Sequence, residues 1–211
     1  MTTDARRPTL CLVSDRRAIG ERPLVALIGE AARAGVDLIQ IREPDLDDRA
    51  LVTLARAAVA AVRGTPARVI VNDRADVALA AGAAGVHLRG DSMPAGRVRA
   101  MTGPGFLVGR SVHDEGEAAA VDAEGACDYL IFGTVFPSSS KPPEHRAAGL
   151  EALGRVCARV DARVLAIGGI PIDRAPEAAR AGAAGIAAIQ LFATAADLHE
   201  IVRALRRAFD T

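Results

Sequence analysis

Four times along this chain, small residues around a glycine run directly into a short apolar stretch. Ala34-Gly35-Val36-Asp37 precedes LIQI, and Ala81-Gly82-Ala83-Ala84 precedes GVHL. Glu124-Gly125-Ala126-Cys127 precedes DYLIF, and Ala181-Gly182-Ala183-Ala184 precedes GIAAI. The starts lie 47, 43 and 57 residues apart, a period that fits two strand–helix units per repeat. Each instance reads as a helix C-terminus closed by glycine, a short turn and a buried strand. Four further apolar runs, Thr9–Val13, Arg68–Asn72, Phe106–Ser111 and Arg163–Ile167, lie between them and suit strands buried on both faces. Leu46–Val62 and Ala195–Phe209 place apolar residues three and four apart, as amphipathic helices do.

Eight strands alternating with helices imply parallel β-structure with right-handed crossovers. About 210 residues suffice for a compact (β/α)8 TIM barrel, an α/β fold. An open doubly wound sheet is the alternative, and the fourfold repeat favours closure. No Ser/Gly linker divides residues 1–211, so a single barrel domain is expected. One long irregular stretch, Gly133–Ala148, interrupts the alternation, and such loops in compact domains are commonly functional or mobile.

Composition narrows the function. Half of the 211 residues are hydrophobic and a quarter are charged, enough for a sizeable core. The 26 basic residues balance the 26 acidic ones, which argues against a broad nucleic-acid or membrane surface. Five Phe, one Tyr and no Trp leave little for stacking on bases. Three dispersed cysteines without a CxxC point to reduced thiols and a cytoplasmic protein. Neither a signal-peptide core nor an 18-residue apolar run is found. Of the 26 basic residues only Lys141 is a lysine, so 25 are arginines, a bias that base composition alone can produce.

In a barrel the chemistry gathers at the C-terminal strand ends. There the chain offers Gln40 and Arg42 on one face of the second strand, Asn72-Asp73 after the third, His87 in the fourth and Ser111 in the fifth. Gly168-Gly169 follows the seventh strand, where barrels often bind phosphate through backbone N–H groups; a bare turn is the alternative. Arg42 is suited to clamp a second phosphate, or else to bridge to Glu43 or Asp73. Asp73 with phosphate oxygens suits Mg²⁺, and as readily caps the next helix. His87 reads as a hydrogen-bonded structural histidine, and His145 as a solvated one. Lys141 beside Ser138-Ser139-Ser140 suits a phosphate or a solvated loop tip. Residues alone describe a phosphate-handling barrel without an acid/base pair.

LVSD (12–15), QIRE (40–43), VNDRADVALAAGAAGVHL (71–88), GRSVH (109–113), DYLIFGTVFPSSSK (128–141) and AIGGI (166–170) together resemble the thiamin-phosphate synthase/TenI superfamily. The resemblance implies coupling of hydroxymethylpyrimidine pyrophosphate to thiazole phosphate with release of pyrophosphate, Mg²⁺ as cofactor, and, from family habit, a homodimer. It implies Gln40, Arg42 and Asn72 at the pyrimidine pyrophosphate and Asp73 on magnesium. It implies Lys141 and Ser111 as catalytic residues, and Ser138, Ser140, Gly168 and Gly169 near the thiazole phosphate. Catalysis by leaving-group stabilisation agrees with the lack of an acid/base pair.

Three positions depart from the synthase pattern. Pro44 replaces a lysine, Ser92 replaces a second magnesium carboxylate with Asp91 one residue off, and Gln190 replaces a common serine. The TenI-like thiazole tautomerases share GRSVH and a serine at 92, but use a histidine where this chain has Thr134. A tautomerase and a non-catalytic barrel that binds thiazole phosphate or thiamin phosphate are therefore the alternative functions.

Overall fold

The structure, a computed structural model, describes residues 7–138, 142 and 146–210. Its eight strands are β1 (Thr9–Val13), β2 (Leu38–Ile41), β3 (Arg68–Asn72), β4 (Gly85–Leu88), β5 (Leu107–Val112), β6 (Tyr129–Gly133), β7 (Arg163–Ile167) and β8 (Gly185–Ala188). All pair in parallel, each with its sequence neighbour, and β1 pairs with β8 to close the barrel. The expected closed (β/α)8 architecture is therefore present, and the open sheet is not.

The helices are α1 (Leu24–Ala34), α2 (Asp48–Ala61), α3 (Ala75–Ala81), α4 (Ala95–Met101), α5 (Glu115–Ala123), α6 (Gly149–Arg159), α7 (Ala175–Arg180), α8 (Gln190–Ala193) and α9 (Leu198–Ala208). No helix among the described residues is long and apolar enough to cross a membrane. The repeated glycines do what the pattern implies. Gly35 and Gly82 cap α1 and α3 in the left-handed region, at φ 103° and 68°. Gly125 and Gly182 take positive φ one residue past the caps of α5 and α7. β5 and β6 each begin and end one residue later than the apolar runs indicate, because inter-strand pairing rather than hydropathy sets strand ends.

Strict alternation divides each strand between two layers. Leu10, Leu12, Ile39, Ile41, Val69 and Val71 face the helices in one cluster. Cys11, Val13, Leu38, Ile70, Tyr129, Ile131, Leu165 and Ala187 fill the barrel interior. The interior is tight where Tyr129 lies: a Cβ on Gly109, its register partner on β5, would overlap the Tyr129 ring. Only glycine admits that ring.

Alternation also places the site. Two residues after inward Leu38 comes Gln40, and two after inward Ile70 comes Asn72. His87 follows Gly85 by the same step, and Ser111 follows Gly109. The polar residues thus succeed the apolar interior at its C-terminal end. The opposite end is closed by polar ties: Asp37 Oδ2 accepts from Leu10 N at 2.7 Å and from Arg206 at 2.7 Å.

Candidate functional site

Two cavities open side by side at the C-terminal end of the strands. The first, about 700 Å³, is bordered by Asp15, Gln40, Arg42, Asn72, His87, Arg89 and Ser111. The second, about 570 Å³, is bordered by Ser138, Gly168, Gly169, Gln190 and Thr194. Ile167, Gly168 and Ile189 border both, so the two share a wall. One cavity is charged and polar, the other mostly apolar with exposed glycine backbone.

The floor of the polar cavity is a fixed hydrogen-bond array. Gln40 is 3% exposed, and its Nε2 donates to Asn72 Oδ1 at 3.0 Å across neighbouring strands. Each amide thereby holds the other's rotamer. Fully buried His87 sits between two hydroxyls, with Nδ1 3.1 Å from Tyr129 Oη and Nε2 2.9 Å from Ser111 Oγ. Burial, reinforced by the Arg110 charge, lowers its pKa from 6.5 to about 3, so the ring is neutral near pH 7. A neutral imidazole has one donor and one acceptor nitrogen. Burial pushes the Tyr129 phenol pKa up, so its O–H is kept, and in the tautomer in which this buried O–H donates to its partner, His87 Nδ1 is the acceptor. Nε2–H then donates to Ser111 Oγ, which leaves the Ser111 proton to point into the cavity. The structural reading of His87 is correct but incomplete, since it also sets the polarity of a cavity hydroxyl. Tyr129→Phe strips the buried Nδ1 of its partner and is expected to lower unfolding free energy by about 1–3 kcal/mol, read by urea denaturation.

Arg42 stands two residues beyond Gln40, exposed at the cavity rim. It bridges to neither Glu43 nor Asp73. Glu43 is buried at 4% exposure, accepts from Ser14 Oγ at 2.7 Å and pairs with Arg16 at 3.2 Å. Ser14 Oγ in turn accepts from Arg42 N at 2.9 Å, so this buried cluster fixes the backbone from which Arg42 projects. The sequence offers Glu43 only as a partner of Arg42; its pairing with Ser14 and Arg16 joins β1 to β2 and leaves no local pattern.

Asp73 takes φ 63°, the only positive φ of a non-glycine residue among those described. Its N–H donates to His87 O at 2.8 Å. This conformation turns its side chain away from the helix-capping position, and α3 has no side-chain cap. Instead Asp73 accepts from the Ser92 hydroxyl, and its Oδ2 lies 3.6 Å from Arg89. No group of three or more metal-ligating side chains occurs among the described residues. One carboxylate and one hydroxyl do not cage a cation alone. They fit a magnesium ion that shares its remaining coordination with ligand phosphate oxygens and water.

At the second cavity, Gly168 and Gly169 take φ 101° and 57°. A Cβ on Gly169 would overlap Pro137 O and lie 2.9 Å from Phe136 O. Phe136 N donates to Gly168 O at 3.0 Å, locking this turn against the segment after β6. Arg174 stacks its guanidinium 3.9 Å from the Phe136 ring centre. Ser138 borders the cavity. Ser140, Lys141 and His145 lie outside the described residues. Exposed Gln190 lines the same cavity, where a serine is expected.

The model of the thiamine monophosphate synthase family matches residues 10–192. The chain belongs to that family. It is 43% identical over 197 residues to a putative thiamine-phosphate synthase of Geobacter sulfurreducens, covering 93% of this chain and 92% of that one. It is 39% identical over 199 residues to a thiamine-phosphate synthase of Roseiflexus castenholzii, covering 94% and 87%. Among solved structures, the thiamine phosphate pyrophosphorylase of Pyrococcus furiosus superposes with a TM-score of 0.85 at 32% identity, covering 99% and 98%. A 3-hexulose-6-phosphate synthase at 21% identity and a TM-score of 0.69 shares the barrel fold. The segment matched by the thiamine monophosphate synthase family contains every residue that borders the polar cavity, and the glycine-walled cavity up to Leu191.

Proposed function

We propose that this protein is a thiamin-phosphate synthase that joins hydroxymethylpyrimidine pyrophosphate to thiazole phosphate. The observation that carries the reading is the pair of cavities meeting at Ile167, Gly168 and Ile189. Two substrates, each with its own phosphate, need two anion-accepting pockets whose inner ends touch. The polar cavity takes the pyrimidine pyrophosphate and the glycine-walled cavity takes the thiazole phosphate.

The bond from the pyrimidine methylene carbon to the pyrophosphate oxygen breaks heterolytically, and the electron pair leaves with pyrophosphate. The thiazole nitrogen lone pair then forms the new carbon–nitrogen bond. No proton transfer is required at the reacting atoms, which agrees with a neutral His87 and no acid/base pair. Arg42 supplies a planar cation for the leaving group, and the Ser111 proton donates to it. The Gln40–Asn72 amide pair orients the pyrimidine ring. A magnesium ion held at Asp73 would add charge neutralisation at the departing pyrophosphate. Ser138 with the Gly168-Gly169 backbone holds the thiazole phosphate. The family resemblance assigns Lys141 to the pyrophosphate and Ser140 to the thiazole phosphate; both lie outside the described residues. Free thiols at Cys11, Cys127 and Cys157 are in keeping with a cytoplasmic site of action.

The test is product analysis with Mg²⁺, the pyrimidine pyrophosphate and each thiazole phosphate tautomer. Thiamin phosphate and pyrophosphate are expected in equal amounts. Interconversion of the tautomers without coupling, or binding without either reaction, overturns the reading. Arg42→Ala is expected to lower kcat/KM by about 10- to 100-fold, the worth of one charge-assisted contact, with thermal stability unchanged. Unaltered kinetics in that variant would return Arg42 to the solvent.

A further inference from the structure

We propose that Arg89 is the second pyrophosphate-binding guanidinium of this site, held over Asp73 until the anion draws it away. The inference rests on the synthase reading and adds a residue to it. Arg89 follows β4 directly and borders the same cavity as Arg42. Arg42 and Arg89 are the two guanidiniums that border this cavity among the described residues. They rise from β2 and β4, on either side of Asn72 and Asp73 at the end of β3.

Arg89 is half exposed and faces two carboxylates. Its Nε donates to Asp91 Oδ1 at 2.9 Å, a second donor reaches Asp91 Oδ2, and Nη1 lies 3.6 Å from Asp73 Oδ2. A planar fork over one carboxylate, with a second at longer range, is the arrangement a diphosphate can replace oxygen for oxygen. The segment that carries Arg89 is fixed from both sides. Arg89 N donates to Ser92 Oγ at 2.8 Å, while the same hydroxyl donates to Asp73. Arg110, from β5, donates to Gly90 O at 2.7 Å and to Met93 O at 3.1 Å. The backbone therefore stays in place, and only the Arg89 side chain has to move.

The charge arithmetic explains the pairing. Without a ligand, the single charge of Arg89 is shared by two carboxylates, Asp91 in a bidentate pair and Asp73 at 3.6 Å. A metal-bound pyrophosphate would bring negative oxygens to Arg89 and a cation to Asp73, and would leave Asp91 to the solvent that already reaches it. This also accounts for a site without a lysine at Pro44: the missing cation comes from the next strand but one.

Calorimetric titration of the full chain with inorganic pyrophosphate, in Mg²⁺, tests the proposal without turnover. Arg89→Ala is expected to weaken binding at least 10-fold, and Arg89→Lys to restore most of it. Asp91→Asn, which frees the guanidinium, is expected to tighten binding. In turnover, Arg89→Ala should raise KM for the pyrimidine pyrophosphate more than it lowers kcat, and Lys should rescue KM. Equal pyrophosphate affinity in wild type and Arg89→Ala, failure of lysine to restore it in a folded variant, or weaker binding in Asp91→Asn overturns the proposal. Wild-type protein that makes no thiamin phosphate yet loses pyrophosphate with Arg89→Ala refutes the synthase reading and leaves the anion site standing. Product formation with Arg89-independent pyrophosphate affinity refutes only the role of Arg89.

Discussion

Gly169→Ala is expected to be the most damaging single-methyl addition at the site, with loss of about 2–4 kcal/mol of stability and a thiazole-phosphate KM at least tenfold higher. Two costs add. The residue sits at φ 57°, where any side chain is strained by about 1 kcal/mol. The new Cβ would also overlap Pro137 O and crowd Phe136 O at 2.9 Å, both backbone atoms that cannot swing aside. Overpacking of this kind costs about 1–3 kcal/mol. Relief requires the turn to part from the segment after β6, which breaks the Phe136 N to Gly168 O bond. The same movement widens the phosphate cavity, so stability and KM change together. Gly168→Ala meets a softer obstacle, the Thr134 side chain as well as its Cα at 2.9 Å, and is expected to be milder. Urea denaturation and steady-state kinetics on both variants check the order. A Gly169→Ala enzyme with wild-type stability and KM would show that this backbone is not in contact with the phosphate.

The barrel was legible because its information is local and repeated. Small residues at a glycine mark each helix end, and the following apolar run marks the strand that the helix must reach. Closure required only that eight such units be equivalent. The helix that follows β8 shows the limit of this reasoning. The apolar spacing over 195–209 predicts a helix that forms as α9 (Leu198–Ala208), three residues later at its start, and gives no sign of the four-residue α8 (Gln190–Ala193) before it. Asp197 starts α9 by accepting from the N–H groups of His199 and Glu200, a cap that spacing alone does not weigh.

The site was legible to a different depth at each residue. Gln40, Asn72, His87 and Ser111 were found because period-two alternation assigns them inward at the strand ends. Their partners were not, because a hydrogen bond between strands depends on register. His87 meets Ser111 only because it pairs with Gly109, two residues earlier on β5. Asp73 reads in the sequence as a magnesium carboxylate or a helix cap; it does not cap α3, and its positive φ cannot be seen in the sequence. Asp91 reads in the sequence as a carboxylate one residue off its expected place, with Arg89 two residues before it. In the structure they form one ion pair over Asp73, and that contact lies across loops from β3 and β4, beyond any local pattern.

Between pH 6.5 and about 3, His87 is expected to withdraw stability from the fold at up to about 1.4 kcal/mol per pH unit. The sign follows from the shift. Burial, with help from the Arg110 charge, lowers the folded-state pKa to about 3, below the ordinary value of 6.5. In that window the unfolded chain binds a proton that the folded chain refuses, so acid favours unfolding. Above pH 6.5 the contribution is fully present and no longer varies. Protonation would also place a donor on both ring nitrogens. Nδ1–H would then confront the Tyr129 hydroxyl proton, and the Ser111 hydroxyl would lose its fixed polarity. Carboxylates titrate within the lower half of the same range, so the decisive quantity is a difference between two proteins. Denaturant unfolding of wild type and His87→Gln at intervals from pH 7.5 to 4 provides it. The variant is expected to be less stable at pH 7 and to lose less between pH 6 and 4, so the two curves converge. Parallel curves would mean that His87 is protonated as readily in the fold as outside it. Ser111 would then receive its proton arrangement from some other group.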